Sequence, residues 1–368
     1  MTLMDWAGLE PLRTVDPDPF LDLDSWIGIR TFSFRFELFN GNTSESLGDL
    51  TPYITQATLS HNAQQIIKRQ LSLNLNVTDT SDINTLTDRI KLSMVSQGVE
   101  FPLGRYMFTS GFDNLSTGGT QSSVQLVDEM LIVDQQIISA FTTATSAFVP
   151  NDQMVSVLSR LLTDLPVTVS GNIEGSPYLV EGSWTPGTRR GQILSAITPQ
   201  GDYMSPWFDH NNQMRFIRTV DAANDPLTFD FDINNRVILN SIQHQTNILD
   251  AANIFVVVGN GTASTQDTIS GTYIVPASAP YSFFNRGFYI PSVVSMAVST
   301  DAQAAAAAKN LAIRNNVVET VTLSTPVDPR HDCHDVVRFD GNNWLEIAWS
   351  MDLASGASMQ HTLQRAYQ

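Results

Sequence analysis

The sequence predicts a mainly β protein with an inserted α+β module. Three observations carry this prediction. Apolar and polar residues alternate through short runs over most of the chain, glycine and proline punctuate those runs, and helical spacing of apolar residues is confined to a middle segment and one alanine-rich stretch.

The first run is Phe32, Phe34, Phe36 and Leu38, interleaved with Ser33, Arg35 and Glu37. Successive strand side chains point to opposite faces, so the apolar set forms one wall. Asn40-Gly41-Asn42 breaks it as a turn. Leu71, Leu73, Leu75 and Val77 form the next run, and Ile90, Leu92 and Met94 another. Pro102, Gly104 and Gly111 suggest several short strands through Arg105–Phe112, and a further strand starts at Val124 and Leu126. Such spacing fits an antiparallel barrel or a sandwich.

The middle changes period. Met154, Val157, Leu158, Leu161, Leu162 and Leu165 predict a helix between Pro150 and Pro166, with Asn151 or Asp152 as its cap. A second helix is expected from about Thr188 to Thr198, with Ile193, Leu194 and Ile197 inward and Pro199 ending it. A hairpin follows, Ser205–Phe208 and Met214–Ile217 around a turn at Asp209–Asn212.

Strands resume at Val237–Leu239 and Asn253–Val258. Ile254–Val258 is apolar on both faces and is expected to be buried on both. Asp301 is the expected cap of a helix over Ala302–Arg314, rich in alanine, the best helix former. Val317–Leu323 is a strand, and Val336–Phe339 pairs with Trp344–Leu353 across Asp340-Gly341, a tight-turn dipeptide. Leu345, Ile347, Trp349, Met351 and Leu353 are expected on one face of the last strand. The chain thus divides into an arm at 1–27, a first β region at 28–135, the α+β module at 136–236, whose late strands can return to the first β region, and a second β region at 237–368 containing a helix at 301–315. The arm carries Pro11, Pro17 and Pro19, which exclude helix and central strand, and is expected to order only against a partner or its own domain.

Composition narrows the function. Lys+Arg 20 against Asp+Glu 37 gives 20 − 37 = −17, which argues against a surface that grips nucleic-acid phosphates. Charged residues make up only 15%, and the lysines are Lys68, Lys91 and Lys309. A single cysteine, Cys333, excludes an internal disulfide and any multi-cysteine metal motif. No apolar run approaches the ~18 residues of a membrane helix, and the N-terminal residues lack a secretory pattern, so neither membrane insertion nor export by a signal is expected.

No motif of nucleophilic, metalloprotease or nucleotide chemistry occurs. Asp328, His331, Asp332, Cys333, His334 and Asp335 form the best metal-like cluster, but adjacent ligands diverge around a loop, so a self-bonding turn is the preferred reading. Asp230, Asp232 and Asn234 open like a calcium loop, yet Asn235 and Ser241 stand where Gly and Glu are needed. Trp207 and Asp209 could line a sugar site but read more simply as core and turn. His61, His210, His244 and His361 are scattered singly and read as surface or core residues, and Arg189-Arg190 faces an acidic neighbour or a solvated turn. No catalytic, cofactor or metal residue is assigned, which points to a structural or binding role.

Residues 328–367 then become informative. Asp328-Pro329, Asp335-Val336-Val337, Asp340-Gly341 with Trp344, Gly356–Met359 and His361-Thr362-Leu363 resemble the C-terminal signature of tail hub (minor tail) proteins of long-tailed actinobacterial phages. Leu50–Tyr53, Ala57–Ser60 and Leu71–Val77 are similar to the first barrel of such hubs, and the middle helices with Trp207–Asp209 and Met214–Phe216 follow in the same order. The resemblance covers nearly the whole chain.

It implies a baseplate-hub fold, with the two β regions as related barrels, and a non-enzymatic virion protein of the tail tip, assembled in the host cytoplasm. It implies a homotrimeric ring that closes the tail tube, adapts sixfold to threefold symmetry and surrounds the tape measure protein and, in passage, DNA. Implied neighbours are a distal tail protein or the tube above and other minor tail proteins or fibres below. No cofactor is implied. Scarce lysine leaves strand edges unguarded, which suits sheets covered by neighbouring chains, and an acidic lumen would let DNA slide. With the chain ending soon after the closing strand, no enzymatic extension is expected. A carbohydrate- or receptor-binding β protein of the tail tip is the alternative, and a cell-wall hydrolase the third reading.

Overall fold

The structure, a computed structural model, describes residues 31–365 except 77–82, 97, 110–120, 138–151, 163, 171–178, 181–183, 185–186, 232–237, 240–241, 248–250, 260–268, 297, 299 and 316–318. The expected arm, the cap at Asn151, the strand start at Val237 and the calcium-like residues Asp232, Asn234, Asn235 and Ser241 lie outside the described residues.

Seven strands open the chain: β1 (Phe32–Asn40), β2 (Ser46–Asp49), β3 (Ile54–Asn62), β4 (Arg69–Asn76), β5 (Asp88–Ser96), β6 (Val99–Phe108) and β7 (Gln121–Val127). The alternation read from sequence is realised. Phe34, Phe36, Leu38, Leu71, Leu73, Leu75, Ile90, Leu92 and Met94 all enter one core. Around Pro102 and Gly104 the structure corrects the reading: β6 runs as one strand, and a register irregularity opposite Leu92 and Ser93 accommodates them.

The middle holds α1 (Met130–Gln135), β8 (Asp152–Gln153), α2 (Met154–Leu162), β9 (Val169–Ser170), β10 (Leu179–Val180), α3 (Arg190–Ile197), β11 (Trp207–Phe208), β12 (Met214–Arg215) and β13 (Phe229–Phe231). The apolar stripe of α2 and the inward residues of α3 share a second core with Tyr203, Phe208 and Phe216. This confirms the α+β module in the middle of a mainly β chain.

The last third contains β14 (Gln243–Thr246), β15 (Ile254–Gly259), β16 (Ser270–Ile274), α4 (Phe283–Arg286), β17 (Pro291–Met296), α5 (Asp301–Asn315), β18 (Glu319–Pro326), β19 (Val336–Phe339), β20 (Asn342–Asp352) and β21 (Ser358–Arg365). Ile238 and Leu239 are not in a strand. The cap of α5 is Thr300, not Asp301: the Thr300 hydroxyl accepts from Gln303 N at 3.1 Å, while Asp301 accepts from Ser270 N at 2.9 Å.

β15, β16 and β17 form a separate sheet in the order β16-β15-β17. Helix α5 covers one face, burying Phe255 and Val257 against Ala304, Ala307 and Ala308. Among the described residues nothing covers the other face. Val256 pairs there with Thr272 and Val293, and Ile254 with Ile274 and Pro291; Val293 is 62% and Ile274 46% exposed. The strand expected to be buried on both faces is therefore covered on one only.

One thirteen-stranded sheet unites the two ends of the chain, in the order β14-β18-β21-β20-β3-β4-β7-β6-β5-β1-β2, with β19 joining β13 to β20. Strand β20 is the seam. Its first residues pair with β19 and its last with β3. Trp349, Met351 and Leu353 enter the core of β1–β7, whereas Leu345 and Ile347 pack with Met204 and Val220. The expected single apolar face thus serves two cores. On the opposite side, Trp344 joins a third set with Val321, Val337 and Leu363.

Candidate functional site

The residues with the most chemistry meet at that seam, in the loop 327–335 between β18 and β19. Locally the loop is a turn that bonds to itself. Asp328 Oδ1 accepts from Arg330 N at 3.0 Å, and Asp335 Oδ2 accepts from Asp332 N at 2.8 Å. The Arg330 guanidinium grips the Asp328 carboxylate at 2.9 and 2.5 Å and lies over the Phe229 ring.

From this loop two buried polar clusters reach in different directions. The first centres on Asp332. Its Oδ1 is 3.3 Å from Arg69 Nη2 on β4 and 3.2 Å from His61 Nδ1 on β3, and its Oδ2 accepts from Trp207 Nε1 on β11 at 2.9 Å. One carboxylate therefore ties the first strands, the α+β module and the C-terminal loop. Burial alone would raise the Asp332 pKa, but Arg69, His61 and Trp207 together hold it far below the usual range. For His61 burial dominates and pushes the imidazole down to about 4, so it is neutral near pH 7.

The second cluster centres on Glu346 of β20, which is fully buried. His331 Nδ1 lies 2.9 Å from its Oε2 and His361 Nδ1, on β21, 2.5 Å from its Oε1. His361 Nε2 is 2.8 Å from the Thr325 hydroxyl on β18. The His331 ring stacks on Phe229 at 3.8 Å, and Phe231 meets His361 edge-on at 5.2 Å. Asp335 Oδ2 stands 3.8 Å from His331 Nδ1. Burial raises a carboxylate, yet the two histidines bring Glu346 down to about 2. Asp335 moves the other way, to about 8, through burial and the nearby Glu346 charge.

The metal-like residues read from sequence are thus split. His331 and Asp335 face Glu346; Asp332 turns to Arg69; the Cys333 thiol is buried, 3.9 Å from the Ile347 carbonyl, and burial pushes its pKa up. His334 packs edge-on to Trp207 with a left-handed backbone, φ 72°. Glu346 and His361 were invisible as partners, because strand pairing and not spacing brings them to His331. His61 and His361 stand singly in the sequence, yet both are buried with carboxylate partners.

The other candidates resolve into structure. Trp207 is 3% exposed and donates to Asp332, so it offers no sugar platform. Asp209 holds its own turn and pairs with Arg215 at 2.6 Å. Arg189 lies 3.6 Å from Asp134, and the buried Arg190 donates to Leu161 O at 2.6 Å and reaches Asp164 at 3.3 Å. A cleft of about 520 Å³ touches His334, Ser205, Met204 and Gln64, and one of about 190 Å³ is lined by His61, Lys68 and Trp349; neither reaches Asp332 or Glu346. The site's chemistry is that of a crosslink between distant segments.

Comparison with known proteins extends this. No family model and no curated protein sequence matches the chain. Its fold is similar to that of a tail protein from Neisseria meningitidis, with TM-score 0.61 and 12% identity over 90% of this chain and 97% of that one. It is also similar to the 43 kDa tail protein of prophage MuSo2 from Shewanella oneidensis, with TM-score 0.58 and 9% identity over 91% and 99%. A prophage tail protein, gp18, from Listeria monocytogenes gives TM-score 0.57 and 9% identity over 90% and 94%. The chain has the fold of phage tail proteins.

Proposed function

We propose that this chain is a structural tail-tip (baseplate) hub protein of a long-tailed phage, without enzymatic activity. The observation that carries the reading is the agreement of fold over at least nine-tenths of each chain with three tail proteins, two of them from prophages. At these identities the fold is shared while surface residues are not, so function rests on shape.

Two features of the surface support assembly. The large sheet ends at β2 and β14, both exposed throughout and both without lysine, the residue that most often guards an edge. The uncovered face of β15–β17 carries no charged residue. Copies of a chain with net charge −17 repel one another, so contact between them is least opposed where charge is absent. In this reading a second copy of the chain covers that face within a homotrimeric ring.

The ring would close the distal end of the tail tube and match its sixfold symmetry to a threefold tip. Two barrel-like units per chain would line a channel that holds the tape measure protein and later passes DNA. The acid excess would face that lumen, where a negative wall does not retain phosphates. A distal tail protein or the tube would bind above, and other minor tail proteins or fibres below. The particle belongs to the virion; among the described residues no helix is long and apolar enough to cross a membrane.

Negative-stain imaging of the purified chain, alone and mixed with tail-tube protein, tests this. Threefold rings are the expected result. A monodisperse monomer at micromolar concentration that stays monomeric with the tube protein overturns it.

A further inference from the structure

The pair of histidines around Glu346 does more than satisfy a buried carboxylate. Three donor atoms of metal-ligating type, from His331, Glu346 and His361, lie within 4.8 Å of one another in the interior. Both rings are fixed from behind, His331 by stacking on Phe229 and His361 by its Nε2 contact with Thr325. A hydrogen-bond partner on the far ring nitrogen is what orients a ligating imidazole and leaves its other nitrogen for a cation.

Charge bookkeeping points the same way. Asp328 is matched by Arg330 and Asp332 by Arg69. Glu346 and Asp335 remain, facing two imidazoles that carry no charge when they act as ligands. A divalent cation beside these two carboxylates favours the ionised form of both, and they then balance its charge. We propose that His331, Glu346 and His361 form a structural binding site for a zinc-class divalent ion, with Asp335 beside it.

Two nitrogen donors and one carboxylate suit zinc or cobalt and not magnesium or calcium, which take oxygen ligands. The present separations of 2.9 and 2.5 Å between nitrogen and carboxylate oxygen suit shared protons. A tetrahedral ion with bonds of about 2.0–2.1 Å holds its donors roughly 3.3 Å apart, so binding displaces the protons, opens these two separations by less than ~1 Å and draws in any donor pair that now stands wider. The site is enclosed, so the ion enters while the chain folds. Once bound it would clamp the 327–335 loop to β20 and β21, the strands that join the two halves of the sheet. This inference stands whether or not the chain is a tail hub.

The test is metal content of the full chain, expressed in zinc-supplemented medium and, separately, refolded from denaturant with cobalt. One zinc per chain after gel filtration, and the intense visible bands of tetrahedral cobalt after refolding, are expected. Chelator present during refolding should lower the thermal midpoint relative to refolding with zinc. E346Q and H361Q should each remove the ion. Metal content at buffer level in both preparations, with equal midpoints with and without chelator, overturns the proposal. So does full retention of metal by soluble E346Q. The wild-type measurements decide the question even if both variants fail to fold.

Discussion

Arg69 Nη2 lies 3.3 Å from Asp332 Oδ1 across 263 positions of sequence, with the Arg69 side chain 3% exposed. The pair fastens β4 to the 327–335 loop. Burial alone would lower the Arg69 pKa, but Asp332 raises it, as expected where each charge is the other's main solvent substitute.

Removing Asp332 leaves a buried guanidinium without its carboxylate and takes the acceptor from Trp207. D332A should therefore cost about 3–5 kcal/mol, as broken buried pairs do. D332N retains an acceptor for Trp207 and should lose less. Urea unfolding of the three proteins checks the order. Equal midpoints for wild type and D332A would show that the pair contributes nothing net.

His61 gives stability an acid limit. Its pKa is about 4 in the folded chain against an ordinary 6.5, so between those values the unfolded state binds more protons. Its contribution is complete above about pH 6.5 and is lost as pH falls towards 4, with an upper bound of roughly 3 kcal/mol. Asp128 acts in the opposite sense. Burial raises it to about 7, so the folded state holds the extra proton and its contribution is lost as pH rises from about 4 to 7. H61N cannot take up the proton, so its unfolding free energy should fall less than that of wild type between pH 6.5 and 4. Parallel pH profiles would contradict the assignment.

Gly271 is the contact point of β16 and α5. A Cβ there would sit 2.0 Å from Ala305 N and 2.2 Å from Ala304 C, both backbone atoms. The helix would have to lift from the sheet, so G271A should cost at least ~1–3 kcal/mol, the range for overpacked cores. A thermal midpoint equal to wild type would show that α5 sits farther from the sheet.

At the β19–β20 turn, Asp340 and Gly341 have φ of 50° and 69°. Nothing lies within 4 Å of a Cβ placed on Gly341, so G341A meets a backbone penalty and no clash. The expected loss is about 1–2 kcal/mol, read by denaturant midpoint. A neutral result would mean that the turn readjusts.

On the uncovered sheet, V293D alters an exposed side chain and should leave the folding midpoint within ~0.5 kcal/mol of wild type. If copies meet on this face, the same substitution adds charge to the contact, and ring formation should fail. Rings of normal yield from V293D would place the contact elsewhere.

The strands β1, β4 and β5 and helix α2 were legible in the sequence because each buries one face, and the period of that face is a local property of the chain. The Asp340-Gly341 hairpin was legible because both turn residues accept the positive φ they show, which is also a local property. The sequence alone thus determined a mainly β chain with a helical insert. Only the tertiary structure decided that β20 divides its side chains between cores, that α5 covers one face of β15 and leaves the other bare, and that His331, Glu346 and His361 converge. Periodicity tells a side chain that it must be buried but not against what. Which distant strand arrives is settled by pairing across hundreds of residues, and that pairing leaves no trace in local spacing.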